Sequence, residues 1–176
     1  PYFNYRAACE ALDNGEYDTA YQAFLDLNGF LDSAKLASES LYQKAEAALQ
    51  NKQYDVAYGI FINLGNYEDS AEMANESLYQ KGQSVLNDKQ FDSAIQIFEG
   101  LGDYKDSRDQ ILEAKYQKAE KCQTDKQYEK AYNLFVELGD YKESQNKVLT
   151  TMLLWEAEAL SSSWTTVATS FSRTVK

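Results

Sequence analysis

A period of 37 residues limits the fold of this chain more than any other feature. The stretch from Tyr54 to Ser70, YDVAYGIFINLGNYEDS, has close copies beginning at Tyr17, Phe91 and Tyr128, each start 37 residues from the next. A fixed spacing of this size marks a stacked array of small units, none of which buries its apolar face alone. Four tyrosines, Tyr5, Tyr42, Tyr79 and Tyr116, align the copies into repeats over about 5–41, 42–78, 79–115 and 116–152.

Each copy predicts two helices. In the short one, the columns Ala20/Ala57/Ala94/Ala131, Phe24/Phe61/Phe98/Phe135 and Leu27/Leu64/Leu101/Leu138 are invariant. Their spacing of four and then three places them on one helical face. The aromatic column Tyr17/Tyr54/Phe91/Tyr128, three residues ahead of the alanines, joins that face. Asn14, Asn51, Asp88 and Asp125 are expected to cap its N-terminus. Asp18, Asp55, Asp92 and Glu129 complement the helix dipole in the first turn. Gly65, Gly102 and Gly139 read as left-handed C-caps, with Asn28-Gly29 in the first copy.

The second, longer helix follows at once. Asn66, Asp103 and Asp140 are its expected caps, with Asp69, Asp106 and Glu143 three residues on, at capping-box spacing. Nothing breaks it from Tyr67 to about Leu86, which predicts roughly 20 residues and about 30 Å. Its apolar arc is wide, with Tyr42 on one border and Lys44 on the other, as expected of a helix buried against two neighbours. The small column Ala8/Ala45/Gly82/Ala119 predicts close helix approach. After Met152 the pattern decays. Trp164, Val167, Ala168, Phe171 and Val175 predict a second amphipathic helix there, so 153–176 reads as a degenerate fifth repeat capping the stack.

Composition narrows the chemistry. With 17 Lys+Arg against 28 Asp+Glu, the net charge of −11 disfavours nucleic acid, and no basic stripe offsets it. There is no histidine, the commonest general base and metal ligand. No motif for nucleophilic catalysis, phosphate cradling or zinc is present, so no catalytic residue, metal or cofactor is expected. No apolar run approaches the ~18 residues of a membrane span. Cys9 and Cys122 stand three repeats apart, too far for a disulfide, and read as core-filling thiols. Free thiols and the lack of a visible targeting segment favour the cytoplasm, although a chain starting at Pro1 fits a fragment or a processed form.

The order aromatic, Ala three on, Phe four on and Leu three on, as in Tyr54-Ala57-Phe61-Leu64, resembles the second helix of the tetratricopeptide repeat family. Ala45, nine residues before the aromatic, resembles that family's first-helix glycine. The likeness covers 1–160 well and the tail poorly. The period of 37 exceeds the family's ~34, the inter-repeat proline is replaced by the type of stretch seen from Leu101 to Ser107, and the first-helix Trp by Leu41, Leu78, Lys115 and Met152. The resemblance implies an all-α, right-handed superhelical solenoid over 1–176 as a single array.

It also implies that first helices line a concave groove. The candidate partner-binding residues are then Tyr5, Tyr42, Tyr79 and Tyr116, rings with polar tips suited to a peptide, with Glu46, Gln83 and Glu120 one turn on. The competing reading is that the rings only pack the seams between repeats. Lys44, Lys81 and Lys118 read either as a clamp for a partner's carboxylates or as a solvated border whose stems cover the core. The expected function is a non-enzymatic interaction or scaffold module for a protein or peptide, within a larger protein. The alternatives are a spacer or self-associating array with no ligand, and a recruiting arm of an enzyme elsewhere in the parent chain.

Overall fold

In the computed structural model the backbone is described for residues 1–174 and side chains for residues 1–163. The chain is an all-α array. Its helices are α1 (Tyr2–Asp13), α2 (Tyr17–Asp26), α3 (Ser33–Gln50), α4 (Tyr54–Leu64), α5 (Ser70–Asn87), α6 (Phe91–Leu101), α7 (Ser107–Thr124), α8 (Tyr128–Leu138) and α9 (Ser144–Thr174). Two compact units divide it, Pro1–Ser84 and Val85–Lys176. In the first, α1 packs on α2, α2 on α3 and α3 on α4; in the second, α6 packs on α7, α7 on α8 and α8 on α9.

The invariant columns are the core. Phe24, Phe61, Phe98 and Phe135 are buried, as are Ala20, Ala57, Ala94 and Ala131. Ala8, Ala45 and Ala119 are fully buried too, so the small column is where long and short helices touch. In the first unit Ala45, Ala48 and Leu49 of α3 meet Ala57 and Phe61 of α4. In the second, Tyr116, Ala119 and Cys122 of α7 meet Ala131, Phe135 and Leu138 of α8. Burying each phenylalanine stabilises its unit by about 2–3 kcal/mol. Both cysteines are free thiols against these cores.

The turns differ from the sequence expectation in three ways. First, Asn14, Asn51 and Asp125 end the long helices as C-caps; the residues before the short helices are Glu16, Gln53, Gln90 and Gln127, with no side-chain cap bond. The cause is a Schellman turn. Gln53 N donates to Ala48 O at 2.8 Å and Lys52 N to Leu49 O at 3.0 Å, with Lys52 at φ 60°. Gly15, Lys89 and Lys126 take the same positive-φ position.

Second, the C-terminal glycines are not in the left-handed helical region. Gly65 has φ 61° and ψ −113°, and Tyr67 N donates to Leu64 O at 3.2 Å, the first central position of a type II′ turn. Third, a second turn follows, with Glu68 at φ 45° and Ser70 N donating to Tyr67 O at 3.0 Å. The long helices therefore start at Ser33, Ser70, Ser107 and Ser144, three residues later than Asn66, Asp103 and Asp140 predict. Asp32 and Asp106 are the residues just ahead of α3 and α7 and make no cap bond with their side chains.

The C-terminal end also departs from expectation. α9 is one continuous helix through Thr174 where two were predicted. The side chains of Trp164, Val167, Ala168, Phe171 and Val175 lie outside the described residues. Leu149, Leu153 and Leu160 leave an exposed apolar stripe on α9, and Glu156 occupies the small-residue register. Trp155 is exposed as well.

Candidate partner-binding surface

The tyrosine column sits in the seams between helices. Tyr42 meets Phe61 edge-on at 5.5 Å and Tyr67 at 6.0 Å; Tyr116 meets Phe135 at 5.8 Å and Tyr141 at 6.1 Å; Tyr5 meets Phe24 at 6.1 Å and Phe30 at 6.2 Å. Tyr79 and Tyr116 are each only 7% exposed. The polar tips of Tyr5 and Tyr42 are engaged as well. Tyr5 donates its hydroxyl to Asp32 at 2.5 Å, and Tyr42 donates to Asp69. That bond, followed by burial and the Asp69 charge, holds the Tyr42 phenol well above its usual range.

The companion column is more accessible and is not uniform. Gln83 donates to the Tyr79 hydroxyl at 3.0 Å. Glu120 accepts from Lys147 Nζ at 2.9 Å. Glu46 forms no ion pair among the described residues. Burial, then the Glu39 and Asp69 charges, push its carboxyl above the usual range.

The lysines expected as a possible clamp are used internally. Lys44 reaches Asp18 at 2.5 Å, Lys81 reaches Asp55 at 2.5 Å, and Lys118 pairs with Asp92. Each joins a long helix to the first turn of the short helix ahead of it. The first-turn acids thus have two roles, dipole complement and ion-pair partner. At the next register position stands Trp155, so Glu129 has no such lysine.

Another ladder escaped the sequence reading. Tyr67 donates to Glu39 at 2.7 Å, and Tyr141 donates to Glu113 at 2.9 Å. Both residue types recur at the period of 37, which was the available signal. In the first copy the pair becomes Tyr2 and Phe30, whose rings pack edge-on at 5.1 Å. Lys142 adds an ion pair to Glu113. Burial raises Glu113, but bonds from Gln117, Lys142 and Tyr141 with the Lys142 charge outweigh it and leave the carboxyl below its usual range.

Clefts open at one register. In the first unit Glu46, Leu49, Gln50, Lys52, Tyr54, Met73 and Gln80 line a cleft of ≈ 330 Å³. In the second, Lys89, Phe91, Gln117 and Glu120 are among the residues lining one of ≈ 540 Å³. Lys52/Lys89, Tyr54/Phe91 and Gln80/Gln117 are repeat equivalents. An open bowl beside the first cleft is lined by Glu39, Tyr42, Glu68 and Asp69.

Comparison with protein-family models and with curated proteins finds no match to this chain. Among the described residues no cluster of three or more His, Cys, Asp or Glu is arranged to hold a metal ion, and no helix is long and apolar enough to cross a membrane.

Proposed function

We propose that the chain is a tetratricopeptide-like, non-enzymatic interaction module that binds a protein or peptide segment along its long helices. The observation that carries this reading is the recurrence of a cleft at one register, lined in both units by an equivalent lysine, aromatic residue and glutamine. A repeat that served only to stack would need the buried alanine and phenylalanine columns alone. Here each cleft adds a lysine and a glutamine, Lys52 with Gln80 or Lys89 with Gln117, beside an aromatic wall, Tyr54 or Phe91; Glu46 lines the first and Glu120, two repeats on, the second. Such a mixture suits recognition of a peptide that presents both apolar and polar side chains.

The contacts we assign to the partner are Glu46, Gln83 and Glu120, with Tyr5, Tyr42, Tyr79 and Tyr116. Selection of a random peptide library against the full chain tests the reading. Binders that shift the amide resonances of Glu46, Gln83 or Glu120 support it. A library that yields no binder, or only binders mapping to the short helices, overturns it.

A further inference from the structure

The two units carry the same carboxylates on their long helices but different cations against them. In the second unit Glu120 takes Lys147 and Glu113 takes Lys142. Two repeats earlier, the equivalents of these carboxylates are Glu46 and Glu39. The residues at the lysine positions are Met73 and Glu68. Each cation supplied internally in the second unit is thus missing from the first, and at one position a carboxylate replaces it.

The cleft around Glu46 has the lining that a long cationic side chain needs. Leu49, Tyr54 and Met73 are apolar walls for a methylene stem, and Glu46 is the charge at its end. Lys52 also lines it without forming an ion pair to Glu46. Of the neighbouring acids, Glu39 accepts bonds from Tyr67 and Gln43 and Asp69 accepts one from Tyr42, all uncharged donors. Burial without a cation explains why the Glu46 carboxyl is raised while Glu113 is lowered.

We infer that the α3/α5 cleft receives a lysine or arginine side chain of a basic partner segment, with Glu46 holding its charged end where Glu120 holds Lys147. This rests on the interaction reading above and narrows it to a cationic partner. Glu39 and Glu46 are seven residues apart on α3, about 10 Å along the axis. That is about the rise of three residues of a polyproline II segment, in which side chains three apart share a face, so the segment carries two basic residues three apart. The net charge of −11 favours such a partner at long range.

The test uses the full chain and a fluorescein-labelled peptide with a Lys-Ser-Ser-Lys centre in a Gly/Ser frame, against the same frame with Glu-Ser-Ser-Glu. The lysine peptide is expected to bind and the glutamate peptide not. Glu46→Gln and Met73→Lys, the latter restoring the internal cation, each weaken binding about fivefold or more. Glu99→Gln changes the net charge equally, lies on α6 and is not among the residues lining the cleft, and leaves binding within about twofold. Melting curves of all three variants establish that they fold. Equal weakening by Glu99→Gln reduces the effect to net charge and overturns the inference, as does a lysine peptide that fails to bind at millimolar concentration. Library binders that are neutral or acidic yet map to the long helices overturn the inference alone and leave the interaction reading standing. A library without binders removes both.

Discussion

Tyr42 donates its hydroxyl to Asp69, the residue immediately before α5 and 27 positions further along the chain. Tyr5 and Asp32 repeat the bond one copy earlier. The ring packs the seam while its tip fixes the turn that starts the next long helix. Packing and turn geometry are thus coupled through one side chain. In the fourth copy the register residue is Glu143, and Tyr116 makes no hydroxyl hydrogen bond among the described residues.

The contrast gives the first prediction. Tyr42→Phe keeps the ring and loses a bond to a carboxylate, and is expected to cost about 1 kcal/mol. Tyr116→Phe loses no such bond and is expected to fall within about 0.5 kcal/mol of the parent. Tyr116→Ala, which removes a ring that is 7% exposed, costs about 3 kcal/mol or more. Urea unfolding of the three variants checks the order. Equal effects from the two phenylalanine variants would show that Asp69 contributes nothing.

Two glycines of one helix should respond to alanine with opposite sign. Gly65 has φ 61° and ψ −113°, a conformation that a Cβ disfavours although no atom lies within 4 Å of where it would stand. Gly65→Ala is therefore a pure backbone penalty of about 1–3 kcal/mol. Gly59 lies inside α4, also with nothing within 4 Å of an added Cβ. Gly59→Ala is expected to stabilise by about 0.5–1 kcal/mol through helix propensity. Thermal melts of the two single variants decide it.

The lysine ladder is partly exposed, so its stability effect is small. Lys81 and Asp55 have side-chain exposures of 31% and 74%. A double-mutant cycle on Lys81→Met and Asp55→Asn is expected to give a coupling of about 0.2–1 kcal/mol that shrinks in 1 M salt. A coupling above about 2 kcal/mol would mean that this pair, rather than the phenylalanine column, sets the helix spacing.

These cases show what was legible in the residues. The period, the helix pairing and the alanine and phenylalanine cores were, because burial demands the same residue type at the same place in every copy. The turn positions were not. Left-handed Lys52, Lys89 and Lys126 carry no glycine to mark them; only Gly15 in the first copy does. The capping-box spacing of Asn66 and Asp69 misled because Asp69 accepts a tyrosine from another helix instead. The candidate tyrosines were readable as a column, but the choice between groove and seam depended on partners 27 residues away. The difference between the two units lay at Met73 and Glu68 against Lys147 and Lys142, positions where the repeat is least regular.

The same difference predicts opposite acid-limb behaviour for two glutamates of the long helices, Glu113 with its cation and Glu46 without one. Glu113 has its folded value lowered, so its contribution is present above its unfolded value, near 4.5, and is lost as pH falls through the folded value. Glu46 has its folded value raised, so ionisation in the native state costs stability. That cost is relieved as pH falls through the raised value and is absent below the unfolded one. At pH 7, Glu113→Gln should therefore lower the urea midpoint and Glu46→Gln should leave it unchanged or raise it. Both effects should stay within about 1 kcal/mol, since each group is partly solvated. Below the folded value of its own glutamate each variant should converge on the parent chain, Glu46→Gln at higher pH than Glu113→Gln, because glutamine then replaces a neutral carboxyl. A midpoint lowered by Glu46→Gln at pH 7 would mean that a cation within the chain, such as Lys52, already neutralises Glu46 in solution, leaving no vacancy for a basic partner to fill.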